Sequence, residues 1–245
     1  FAKTWQLVGH VSQLENQGSF FTTDVAEEPI LVVRGRDDVI RAFYNVCPHR
    51  ATQLEQKESG NKKILQCSYH GWTFKLDGQL NKAPNFSGED AACLQDVCLR
   101  SIRLEVIESL IFVNLDDNAK PLSESYGDFF EKLSEFSFLS ELKRTHQKVR
   151  PIKANWKAYI DIYLECDHCH VAHPSFVSTL DMKDYQIITC DNYSIQGTVV
   201  KQDHKYGEVD LNNAEMQGGT FYWLWPNLML TIYPGPGNMA TIQMI

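Results

Sequence analysis

Cys47-Pro48-His49-Arg50 and, twenty positions on, Cys67-Ser68-Tyr69-His70-Gly71-Trp72 decide how this chain is read. Each stretch offers one thiolate and one imidazole. The pattern is C-x-H, then seventeen residues, then C-x-x-H. Four such donors can hold zinc in a tetrahedron, but the one-residue gap of the first pair is tighter than the roughly two to four residues usual for zinc. Each pair mixes Cys with His, so each can serve both irons of a binuclear cluster. Pro48-His49 and His70-Gly71-Trp72 suit the tips of buried hairpins better than a surface knuckle.

Composition narrows the class. The 245 residues make one large domain or two ordinary ones. No run of apolar residues is long enough for a transmembrane helix, and no secretory signal opens the chain. The net charge of −8, without a basic block, disfavours nucleic acid and anionic membrane as partners. Seven cysteines, an odd number, suit metal chemistry in a reducing compartment such as the cytoplasm better than a disulfide frame. The chain begins at Phe1 without Met and stops in the alternating run Ala240 to Ile245, which reads as a fragment of a longer protein.

Along the chain, short alternating or apolar runs predict strands at Trp5 to Val11, Phe20 to Thr22, Pro29 to Gly35 and Val39 to Val46. The last of these leads into the first Cys-His stretch. Ile64 to Gln66 leads into the second, and Trp72 to Leu76, Leu99 to Val106 and Leu110 to Leu115 complete an all-β module. Asp116 to Pro121 is a polar break. Tyr126 to Leu142 has apolar residues near helical spacing. Tyr185 to Thr189, Tyr193 to Val200 and Thr220 to Leu230 read as later strands, the last holding the aromatic run Phe221-Tyr222-Trp223-Leu224-Trp225-Pro226.

The second chemical stretch runs from Asn155 to Pro174 and contains Glu165-x-x-His168 and, five residues further, His173. A helix from about Asn155 puts Asp161, Glu165 and His168 on one face. On a straight helix His168 and His173 would point about 140° apart, so the helix must bulge or end before His173, where Pro174 favours an end. His170 reads as a structural or surface histidine, Asp167 as an extra local charge, and Cys166 and Cys169 as helix-packing thiols.

The two motifs together resemble the catalytic alpha subunit of the Rieske non-haem iron oxygenases. The resemblance implies an α+β protein. An N-terminal all-β Rieske [2Fe–2S] domain at residues 1–117 would precede part of a helix-grip catalytic domain at 118–245, with an antiparallel sheet and flanking helices. Cys47 and Cys67 would hold one cluster iron, and His49 and His70 the other. His168 and His173 would bind mononuclear Fe(II), with a carboxylate completing a facial triad. Asp181, Asp184, Asp191, Asp203 and Asp210 stand in no matching context, so that carboxylate is expected beyond Ile245. Glu165 would bridge the iron site to the cluster histidine of a neighbouring subunit in a homotrimer. Electrons would come from an NAD(P)H-dependent reductase or a ferredoxin, and O₂ and a small organic molecule would be the substrates.

The LEC-x-HC-x-VAHP and W-x-WP stretches are similar to the branch that oxidises carnitine, glycine betaine, choline or stachydrine. An aromatic-ring hydroxylating dioxygenase is the competing reading. A Rieske ferredoxin-type electron carrier would need only the first part of the chain, and a structural zinc protein would need no redox chemistry at all.

Overall fold

The run Ile30-Leu31-Val32-Val33 is fully buried on both sides, which only a strand covered on two faces requires. It forms the middle of β3 (Glu28–Arg34). Around it lie β1 (Gln6–His10), β2 (Ser19–Val25), β4 (Ile40–Tyr44), β5 (Ser59–Asn61), β9 (Ser101–Ile107) and β10 (Leu110–Asn114). They make one seven-stranded sheet in the order β1-β10-β9-β4-β3-β2-β5. A three-stranded sheet of β6 (Leu65–Gln66), β7 (Thr73–Phe74) and β8 (Leu80–Lys82) accompanies it. The structure is a computed structural model that describes residues 1–84, 86, 93–201 and 216–245.

Strand alternation sends Phe20, Leu31, Val33 and Phe43 into one core and Phe21, Ile30, Val32 and Ala42 into the other. The first core also takes Leu65, Phe74 and Leu76 around the small sheet, and with them Cys47, Cys67 and Trp72. The sulfur-bearing fingers are therefore part of a hydrophobic core.

The chain divides into two compact units, Phe1–Ala119 and Lys120–Ile245. In the second unit β11 (Gln186–Thr189), β12 (Tyr193–Val199), β13 (Gly218–Leu224), β14 (Leu228–Ile232) and β15 (Met239–Gln243) form an antiparallel sheet in sequence order. The expected strand from Thr220 to Leu230 is instead two strands. Trp225, Pro226 and Asn227 lie in the turn between them. A proline has no N–H for the ladder of a central strand, which is why the chain turns there.

Helical order is shorter than the sequence periodicity suggests. The stretch from Tyr126 to Leu142 is not one helix. It holds α2 (Phe129–Ser134) and a 3₁₀ turn (Ser137–Glu141), and α1 (Leu122–Ser125) precedes it. Gly127 at φ +55° separates α1 from α2. The apolar spacing is still used, because Phe129, Leu133, Phe138 and Leu139 are all buried.

Facing residues of the second sheet sort by register. Gln196 pairs with Phe221 and Phe221 with Thr231, so these three share a face, and Ser194 and Trp223 are on it too. The opposite face carries Tyr193, Tyr222 and Leu224. Phe129 of α2 packs on Tyr193 and Tyr222, with ring centroids 5.5 and 5.3 Å apart. The Gln196 face is covered by α3 (Trp156–Tyr163) and α5 (Pro174–Thr179). Tyr163 reaches the Thr231 hydroxyl, and Phe176 packs on Phe221 at 5.5 Å.

Candidate metal centres

The two fingers differ in spacing but close in the same way. The Cys47 N–H donates to the carbonyl of Thr52 and its carbonyl accepts from Ala51 N–H, at 2.8 and 3.0 Å. The Cys67 N–H donates to Trp72 and its carbonyl accepts from Gly71 N–H, at 2.8 and 3.1 Å. The fourth residue after each cysteine has a left-handed backbone, Ala51 at φ +54° and Gly71 at φ +73°. Each finger is thus a loop tied at its root by backbone alone, which leaves its side chains and tip N–H groups free for other work.

Cys47 and Cys67 are free thiols with 1% and 2% exposure. Burial pushes the Cys47 thiol up, the N–H groups of His49 and Arg50 pull it down, and the Cys67 thiol beside it pushes it up again. The Cys47 sulfur thus has two main-chain N–H groups, of His49 and Arg50, at hand. His49 is half-buried and His70 exposed, and their rings meet edge to face at 4.7 Å. Trp72 of the second finger stacks on His49 of the first at 4.6 Å and 4°. Partial desolvation, then the charges of His70 and Arg50, hold His49 below the usual histidine range, which favours the neutral ring that a metal ligand must be.

Among the described residues no three His, Cys, Asp or Glu surround a single metal position. The finger donors form two pairs instead, thiol with thiol and imidazole with imidazole. That is the donor set of a two-iron cluster with two Cys on one iron and two His on the other, and it does not suit a four-coordinate zinc. The residues fit a [2Fe–2S] group.

In the second unit α3 begins at a capped end, where the Asn155 side chain accepts from Lys157 N–H at 3.0 Å. It ends at Tyr163, with Leu164 as its C-cap. Glu165 and His168 therefore lie beyond the helix that holds Asp161, not on its face as the spacing suggests. The physical reason is Glu165 itself. One of its oxygens accepts from the N–H groups of Asp167 and His168, starting a new turn. The turn continues as α4 (Cys169–Ala172), ends at His173, and α5 follows from Pro174. Cys166 and Cys169 are not separate packing thiols but are joined in a disulfide across this turn.

The other Glu165 oxygen accepts a hydrogen bond from His168 Nδ1, and this bond is the first cause of the lowered Glu165 pKa. It fixes the His168 tautomer and leaves Nε2 as the donor for a metal. His173 comes within 5.1 Å of His168, ring to ring, edge on. The break in the helix thus achieves what a straight helix forbids. His170 is exposed, as expected of a surface histidine. Asp181, Asp184 and Asp191 join no metal-binding group among the described residues, and Asp203 and Asp210 lie outside them. The imidazole pair fits a mononuclear iron.

Two family models match the chain: a Rieske [2Fe-2S] domain over residues 4–101, and the catalytic domain of ring hydroxylating alpha subunits over residues 139–243. The chain belongs to the Rieske oxygenases. This family pairs the cluster domain with a domain that binds mononuclear iron. The carnitine monooxygenase oxygenase subunit of Acinetobacter pittii is 35% identical over 245 residues, covering 99% of this chain and 65% of that protein. A 2-aminobenzenesulfonate 2,3-dioxygenase alpha subunit from an Alcaligenes species is 33% identical over 188 residues, covering 76% of this chain and 48% of that protein. A solved structure of a quaternary ammonium Rieske monooxygenase, described in terms of carnitine oxidation and inter-subunit electron transfer, superposes with a TM-score of 0.87. It is 33% identical and covers 99% of this chain and 65% of that one. The chain therefore spans about two-thirds of the length of these carnitine-oxidising relatives.

Proposed function

We propose that this chain is the larger part of a Rieske monooxygenase that hydroxylates an N-methyl group of a small quaternary ammonium compound. The observation that carries the reading is the presence, in one chain, of the paired thiol–imidazole fingers and of a Glu165-oriented His168 beside His173. Cys47, Cys67, His49 and His70 hold the cluster in this reading, and His168 and His173 hold the iron. When bound, the two groups supply single electrons and the activation of O₂. The chain's own part is to hold His49 stacked on Trp72, to fix the His168 ring through Glu165, and to place Phe221 and Trp223 on the sheet face that the helices flanking the iron turn cover.

Phe221 and Trp223 support the substrate class. They stand on the sheet face that α3 and α5 cover, the helices that flank the His168–His173 turn. Aromatic faces attract a cation that carries no N–H to satisfy. The likeness to carnitine monooxygenase along 99% of the chain points the same way, whereas the aminobenzenesulfonate dioxygenase matches a shorter stretch. Hydroxylation of an N-methyl carbon gives a carbinolamine, which loses formaldehyde. An NAD(P)H-dependent reductase or a ferredoxin supplies the electrons in the cytoplasm, and a homotrimer lets Glu165 of one subunit serve the cluster of the next. Among the described residues no helix is long and apolar enough to cross a membrane.

Metal analysis tests the reading first. The full-length protein should carry about three irons and two labile sulfides per subunit. A pure carrier would hold about two irons and a zinc protein none. Formaldehyde release with carnitine, glycine betaine, choline and stachydrine, each with a reductase, tests the substrate. Product from an arylsulfonate and none from any quaternary ammonium compound would reverse the choice.

A further inference from the structure

The turn that carries Glu165, His168 and His173 has few bonds of its own to the sheet, yet both of its ends are tied to one place. At its start, the Tyr163 carbonyl belongs to the last turn of α3, where carbonyls lack helical partners. Gln196 Nε2 donates to it at 2.6 Å. The Tyr163 hydroxyl crosses to the sheet and donates to the Tyr222 carbonyl at 3.2 Å, with Leu230 O and Thr231 Oγ1 at 3.5 Å. Past the other end of the turn, Phe176 of α5 packs on Phe221 at 5.5 Å and on Tyr185 at 6.2 Å. Tyr185 joins the two anchors, because its hydroxyl donates to Gln196 Oε1 at 3.1 Å.

Gln196 is 1% exposed, and both ends of its amide are used. A buried amide with donor and acceptor both satisfied is held in one orientation, and it loses a buried bond if either partner goes. Burial raises the Tyr163 and Tyr185 hydroxyls, the latter to about 12, so both remain protonated donors across the working pH range. Neither Gln196 nor Tyr185 belongs to the Glu-x-x-His-x-x-x-x-His pattern, and nothing in the spacing of that pattern points to them.

We propose that Gln196, with Tyr163 and Tyr185, is a positioning device that sets the separation of His168 and His173 by pinning the two ends of their turn to the sheet at β12 and β13. The inference rests on the iron-site reading above and adds the residues that hold its geometry. A change of about 1 Å in such a site costs on the order of a hundredfold in rate. The three residues act on the iron through the histidines, not by touching it.

Gln196→Met keeps the volume and removes both hydrogen bonds. Tyr185→Phe keeps the ring on Phe176 and removes one oxygen. Both are to be made in the full-length protein and read by the electron paramagnetic resonance of the Fe(II) nitrosyl adduct, by iron content and by steady-state kinetics. The expected result for Gln196→Met is a changed nitrosyl signal beside an unchanged Rieske signal. Its kcat should fall about 10- to 100-fold, as for other residues that orient metal ligands, with KM held within about twofold. Tyr185→Phe should shift the nitrosyl signal the same way by less, and it decides the matter if Gln196→Met does not fold. Wild-type nitrosyl signals in both variants would overturn the device. So would a raised KM with kcat intact, which would make Gln196 a substrate contact. A wild-type protein that gives no nitrosyl signal would overturn the iron site itself, and the device with it.

Discussion

The cluster fingers and the iron turn solve one problem, holding a metal ligand still, by different means. The fingers are tied by main chain: two hydrogen bonds at each root, matched residue for residue, with the thiols inside a hydrophobic core. The iron turn adds to its helical main-chain bonds a set of side-chain ties: Glu165 to His168, Cys166 to Cys169, and Gln196 to the helix that precedes it. Main-chain ties tolerate most substitutions around them, because every residue but proline carries the same groups. Side-chain ties can be lost one residue at a time. The fingers should therefore be sensitive only at their ligands and special backbone positions, and the iron turn at many positions that bind nothing.

The largest effect expected from this contrast is at Cys67→Ser. It should abolish the visible absorption of the cluster and all turnover, while the mononuclear iron stays bound, as an iron-specific assay would check. Retention of a full cluster spectrum would break the assignment of the thiol pair. Next, Glu165→Gln should leave both metals in place and lower turnover by at least about 100-fold, the upper range for a residue that orients a metal ligand. Wild-type activity would deny Glu165 any part in catalysis.

A smaller effect sharpens the comparison within the fingers. Gly71→Ala meets Pro84 Cγ at 3.5 Å and Gln66 Nε2 at 3.9 Å, both ordinary contacts, so its cost is the left-handed backbone, about 1 kcal/mol in a denaturant melt. Ala51→Gly, at the equivalent position of the first finger, relieves that strain but adds freedom to the unfolded chain. It should stay within about 0.5 kcal/mol of wild type. Costs of the reverse order would mean that the two roots are not equivalent.

The smallest expected effect lies away from both sites. Asp128 accepts from Lys132 and from the Tyr193 hydroxyl, and these bonds hold its carboxyl below the usual range. A lowered folded pKa gives stability that is present above the unfolded value of about 4 and is lost as pH falls through the folded one. Asp128→Asn should therefore lower stability near neutrality and flatten the acid limb, so that the two curves meet at low pH, as melts across that range would check.

Much of this was legible in the residues. The fingers announced themselves because their chemistry is compressed into ten letters, and the strands around them because burial on both faces demands continuous apolar runs. Three features lay outside that reading, two of them with a signal in the sequence. The helix from Asn155 stops at Tyr163 although no Gly or Pro marks the place, because the Glu165 carboxylate captures the next two N–H groups. A carboxylate followed by two free N–H groups and a C-x-x-C was a readable signal of a new turn. The strand break at Pro226 was readable too, since a proline argues against a central strand. Gln196 was not readable at all. It is one polar residue in an alternating strand, and only the register that sets it beside Phe221 and under Tyr163 gives it meaning.

Cys47 and Cys67 share their core with Phe43, Leu65 and Phe74, so each of these thiols is also a packing residue. A change at either one touches the interior of the β module as well as the ligand set, and the two consequences come as a pair.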